Sequence, residues 1–146
     1  MIEHEKAREA VWQAADLSLY GSLWFARLPI NAVEAACNGC GPEWMSEAWR
    51  RKLTDWLDIF FTAFCVHDCR FMYDNNGSRE KFDLANQELE KNCLLLADDK
   101  YAWHDPRRYI WRHRARLVGY ACREFGWSAW RDAYGEYEKL KQGEMK

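Results

Sequence analysis

The chain has 146 residues, 49% apolar and 16% aromatic, with 23 acidic against 21 basic side chains. That length fits one domain, and that composition supports a packed core and excludes a compositionally disordered chain. A net charge of −2 argues against nucleic acid as a partner and leaves only a local basic patch to meet phosphate. No apolar run has the length of a membrane span. The opening Met1-Ile2-Glu3-His4-Glu5 has no basic n-region or apolar h-region, so no secretory signal is expected and the six cysteines are expected as thiols in a reducing cytosol.

Three prolines, Pro29, Pro42 and Pro106, divide the chain into helical blocks. Ala7, Val11, Ala14 and Leu17 stand at helical spacing and predict an amphipathic helix over 3–20. Gly21 and Pro29 interrupt the next stretch, and 30–37 adds a short helical turn. Asn38-Gly39-Cys40-Gly41-Pro42 is a loop, since two glycines and a proline do not continue a helix. A helix is expected over 44–53 and a longer one over 55–73, where Phe60, Phe64, His67 and Phe71 form a stripe. Asp74-Asn75-Asn76-Gly77 is a turn, and Ser78 is an N-cap for a helix over 79–97 with Phe82, Ala85, Leu89, Cys93 and Leu96 inward. The short connection predicts an αα-hairpin. After a loop over 98–106, a helix over 107–125 turns Trp111, Ala115, Val118, Cys122 and Phe125 to one side, and 127–140 forms the last. The fold class is all-α.

His67 lies on its helix's apolar stripe with Asp68 at the edge, and Asp83 stands beside Phe82 at the edge of the facing stripe. A carboxylate on an antiparallel neighbour would hold one imidazole N–H and leave the other nitrogen to take a proton from water, the arrangement of a general base. The competing reading is a satisfied core histidine, with Asp83 paired to Arg79 one turn away. Asp68 near a glycine-rich loop could bind a hard cation such as calcium through oxygen ligands. Cys37 and Cys40 are also spaced as in a zinc knuckle, and Cys65 and Cys69 share a helix face; together they would make a four-thiolate zinc site. Cys93 and Cys122 fall on apolar stripes and are expected as buried small hydrophobes. Arg108, Arg112 and Arg116 stand in one row with Trp111 and Tyr109 near, a surface for anionic lipid or for acidic side chains elsewhere in the fold.

The loop Asn38-Gly39-Cys40-Gly41-Pro42, the pair His67-Asp68, Arg79 with Phe82-Asp83, and Arg114-Ala115 through Tyr120 to Phe125-Gly126-Trp127 succeed one another in a pattern that resembles the small phospholipase A2-like proteins of phages and prophages. The resemblance covers 37–130, leaving 1–35 as an N-terminal helical extension of a single domain over 1–146. It implies a phospholipase A2-like core of two antiparallel helices and calcium-dependent hydrolysis of phospholipid esters. His67 would be the base, Asp83 would orient it, and Asp68 with carbonyls of Asn38, Gly39 and Gly41 would hold calcium. It also implies a phospholipid surface as partner, contacted by Arg108, Trp111, Arg112 and Arg116, and a product of the bacterial host cytoplasm that can join a virion with other virion proteins. The alternative is a non-catalytic phage structural or interaction protein of the same fold with zinc on Cys37, Cys40, Cys65 and Cys69. Two positions depart from the family pattern: Cys65 precedes His67 by two residues instead of three or four, and Phe71 stands where a tyrosine is usual.

Overall fold

The computed structural model describes residues 2–37 and 46–144. They form α1 (His4–Asp16), α2 (Ser22–Arg27), α3 (Ile30–Ala36), α4 (Glu47–Trp56), α5 (Phe61–Tyr73), α6 (Arg79–Lys100), α7 (Pro106–Phe125) and α8 (Trp127–Glu144), with a 3-10 turn at Asp58–Phe60. The described residues contain no strand, so the all-α class holds.

Local chemistry sets the helix starts. Ser78 Oγ accepts the Lys81 N–H at 3.2 Å and caps α6 as its sequence predicts. Asp105 accepts the Arg107 N–H at 2.9 Å, with Pro106 in the first turn of α7, where its missing N–H costs nothing. In the turn before α6, Asn75 Oδ1 accepts the Gly77 N–H at 2.8 Å. Gly77 has φ +77°, and a Cβ there would stand 2.8 Å from the Tyr134 ring, so both backbone and space require glycine.

Three expected boundaries move, each for a tertiary reason. The first helix stops at Asp16, because Ser18 (φ 50°) and Gly21 (φ +79°) turn the chain. That turn is gripped by buried Asn92 of α6, which accepts the Tyr20 N–H at 2.8 Å and donates to the Tyr20 carbonyl at 3.0 Å. The helix expected over 55–73 is broken at Leu57, whose N–H closes α4 on the Leu53 and Thr54 carbonyls. The 3-10 turn that comes next drives Phe60 fully into the core. Finally, α6 runs on to Lys100, which makes Asp98 a helical residue instead of a loop residue.

Residues 67 and 86, and 71 and 82, are partnered across α5 and α6, so the two helices run antiparallel, as expected of the hairpin. Asp98 with Arg108 and Arg112, and Glu90 with Arg123, make α6 and α7 antiparallel as well. One core joins Ala7, Phe25, Val33, Phe60, Leu89 and Ala115, so the first 35 residues complete the hydrophobic core of the later helices. A second, smaller cluster of Phe82, Ala85 and Trp130, with Phe71 and Trp127 packed on it, fastens α8 to the α5/α6 pair.

Candidate active site on the α5/α6 hairpin

His67 sits in the middle of α5, 8% exposed. Its Nε2–H donates to Asn86 Oδ1 at 2.9 Å, which leaves the lone pair on Nδ1. Phe71, one turn along, lies against the imidazole with ring centroids 4.5 Å apart. The Trp130 ring meets Phe71 edge-on at 4.9 Å. Burial pushes the His67 pKa down to about 4, against a smaller upward pull from the Asn86 hydrogen bond, so the ring is neutral at pH 7.

The structure corrects the expected partner of His67. Asp83 forms an ion pair with Arg79, Nε to Oδ1 3.3 Å, one turn away on its own half-exposed face, in line with the competing reading. The reason is helical phase. Phe82 faces α5, the residue after it is rotated by about 100° toward solvent, and the next inward positions are three and four residues on, at Ala85 and Asn86. Asn86 is legible in the sequence as an inward position, lying i+4 from Phe82 and i−3 from Leu89. A search for a carboxylate passes over it. Its Nδ2, and Nε1 of fully buried Trp130, find no hydrogen-bond partner in the structure. Each such buried donor costs about 1–3 kcal/mol, and orphaned donors concentrate where chemistry is done.

Asp68 is half-buried beside His67 in sequence. Its charge reaches the thiols behind it: Cys122 is pushed up to about 11, by burial first and the Asp68 carboxylate second. Asn38, Gly39, Cys40 and Gly41 lie outside the described residues. The entry to their loop is described. Cys37, at the end of α3, is buried against α5, where its thiol donates to the Cys65 carbonyl at 3.8 Å. Cys37 also exchanges hydrogen bonds with the thiols of Cys65 and Cys69. These two donors make Cys37 the acidic member of the trio and push the pKa of Cys65 and Cys69 up. Cys37, the last described residue before the loop, therefore lies against α5 within two residues of His67 in sequence. Three of the four proposed zinc ligands are neighbours, though among the described residues no three His, Cys, Asp or Glu side chains form a metal-holding group. Cys93 is buried as expected, and Cys122 is partly so.

The basic row is also corrected. Arg108 Nε donates to Asp98 at 2.9 Å, and Arg112 Nη1 donates to both oxygens of the same carboxylate at 2.6 Å. Trp111 turns inward, edge-on to Phe60 at 5.3 Å. Asp98 of α6 and Phe60 of the 3-10 turn engage these three, and only Arg116 of the four remains exposed. No family model, no curated protein and no solved structure matches the chain.

Proposed function

We propose that the protein hydrolyses phospholipid esters with the help of calcium, using His67 as the base and Asn86 as the residue that orients it. The observation that carries this reading is a buried, neutral histidine whose Nε2–H is held by an amide and whose Nδ1 keeps its lone pair. Such a nitrogen can take the proton of a water that adds to an ester carbonyl, and can return it to the alcohol oxygen as the ester bond breaks. Asn86 orients the ring but brings no charge to stabilise the imidazolium formed midway. Hydrolysis is therefore expected to be slow, and Asn86→Asp to speed it, because a carboxylate raises His67 basicity.

The donors that would hold calcium are the Asp68 carboxylate and the carbonyls of Asn38, Gly39 and Gly41. Cys37 supports this set by bringing the entry to that loop against the helix that carries Asp68. Bound calcium supplies Lewis-acid polarisation of the ester carbonyl. One carboxylate plus carbonyls is a weak site, with Kd about 10⁻⁴–10⁻³ M. Activity would then stay latent in a cytosol and appear on meeting extracellular calcium, as for a virion component. Micromolar affinity by calorimetry would refute the latency.

The test is fatty-acid release from phospholipid by the purified protein in millimolar calcium against chelator. Release that needs calcium and falls by about 10²–10⁴-fold in His67→Ala establishes the reading. No release from the wild type overturns it in favour of the non-catalytic interaction protein. One observation favours that second reading: the buried thiols of Cys37, Cys65 and Cys69 are neighbours, which supports a thiol-anchored loop. Zinc content of the purified protein checks it.

A further inference from the structure

The inner side of α7 is engaged by the rest of the fold: Arg108 and Arg112 bind Asp98, Arg123 binds Glu90, and Trp111 meets Phe60. Its outer side stays exposed in two neighbouring rows of four-residue spacing. One row is Tyr109, His113, Leu117, Ala121 and Phe125, with Leu117 44% and Phe125 77% exposed. The other is Arg116, Tyr120 and Glu124, all exposed as well. Single exposed apolar residues are ordinary, whereas a row that keeps its phase over about four turns marks a contact surface.

The charges on this face select its occupant. Arg107, Arg108, Arg112 and Arg123 are held by carboxylates of the chain itself, so the face lacks the cationic excess that an anionic bilayer or a nucleic acid needs. It presents instead one cation and one anion, Arg116 and Glu124, four residues to either side of Tyr120. Among the described residues neither has an ion-pair partner. Reversing the helix about Tyr120 exchanges these two positions. A second α7 running antiparallel across the first therefore sets its Glu124 opposite Arg116 and its Arg116 opposite Glu124, with the two Tyr120 rings at the axis. The same register brings Leu117 of each copy alongside Phe125 of the other, offset by about 3 Å along the helix. Small Ala121, between Leu117 and Phe125, leaves the gap that a ridge of the other helix fills when rows of four-residue spacing interdigitate. The face is thus complementary to itself, as a two-fold contact requires.

We propose that the protein self-associates through this outer face of α7, as an antiparallel two-fold dimer joined by the Leu117/Phe125 row and two Arg116–Glu124 ion pairs. A face one helix wide lies at or below the about 800 Å² per partner of a standard interface, so the dimer is weak and reversible, with Kd about 10⁻⁵ M. The proposal makes no demand on the chemistry at His67 or on phospholipid as substrate.

Sedimentation equilibrium of the full chain, from about 10⁻⁶ to about 10⁻³ M, tests it. The wild type should pass from monomer to dimer across that range. Leu117→Asp should raise the Kd by about tenfold or more, and Arg116→Glu and Glu124→Arg each by about tenfold, because either reversal sets like charges opposite each other at both ends of the contact. Mixed in equal amounts, the two charge variants should associate within about threefold of the wild type, since one copy of each restores both unlike pairs. Circular dichroism should be unchanged in every variant, as all three positions are exposed. A wild type that stays monomeric at about 10⁻³ M overturns the proposal. So does a dimer that Leu117→Asp leaves at the wild-type Kd, because the contact then lies on another surface. A dimer that neither charge variant weakens, or a mixture of the two that stays monomeric, overturns the antiparallel pairing on which the proposal stands.

Discussion

Helix α6 packs against a helix on each side, and the two interfaces differ in what surrounds their charges. Against α5 it presents Phe82, Ala85, Asn86 and Leu89, with His67 held neutral by an amide, and it pairs Glu88 with Arg70 at 3.0 Å. Against α7 it presents Glu90 and Asp98, each bound to arginine at 2.6 Å. There the backbones come so close that a Cβ on Gly119 would stand 2.9 Å from the Glu90 Cβ. Charges at the second interface are matched and partly solvated, so they specify register at modest energy. At the first interface the Glu88 carboxylate is taken by Arg70, and His67 meets an amide instead of a charge. The proposed base, His67, sits on the α5/α6 side, where burial makes protonation costly.

The contrast is tested most severely at Trp130. It is the largest fully buried side chain, packs on Phe71 and Phe82, and accepts the Asn75 amide at its carbonyl at 2.7 Å. Trp130→Ala should cost about 3–5 kcal/mol in urea unfolding, the range for emptying an aromatic core site. A cost below about 1 kcal/mol would mean that α8 is not fixed to this interface.

Next in size is the pH response. The His67 pKa falls from its ordinary 6.5 to about 4 on folding. Between those values the unfolded chain holds the proton and the folded chain does not. Stability is therefore full above about pH 6.5 and declines as pH drops toward 4, by at most about 3 kcal/mol. His67→Gln keeps an amide donor for Asn86 and removes the titration. The difference between wild-type and variant unfolding free energies, measured across this window, isolates His67 from Cys37, which also titrates below its usual range. Equal slopes in the two proteins would show that His67 is not buried neutral. Asn86→Asp sharpens the test, since a carboxylate partner should flatten the slope.

Much of the architecture is legible because apolar stripes carry helical phase directly: the α5/α6 hairpin and the inward His67 come from spacing, and the Ser78 cap from residue type. What escapes depends on distant partners. Helix α2 hides between Gly21 and Pro29, and the chain commits to it by burying Phe25. Asp98 reads as a loop residue until α7 offers two guanidinium groups to hold it on α6. The partner of His67 is misread for a chemical reason. Asp83 has the right charge and the wrong phase, whereas Asn86 has the right phase and no charge, and burial selects by phase.

The smallest expected effect is at Asp98, and it probes the second interface alone. Asp98→Ala leaves Arg108 and Arg112 facing each other, their side chains a quarter to a third exposed. Water reaches both guanidinium groups, so the loss should be about 1–2 kcal/mol, well short of the 3–5 kcal/mol for a fully buried broken pair. Salt should narrow the gap, because it weakens the intact pair in the wild type and screens the two cations in the variant. Arg116→Ala, on the same row but turned to solvent, should stay within about 0.5 kcal/mol of wild type. A larger loss at Arg116 than at Asp98 would reverse the assignment of the inner and outer faces of α7.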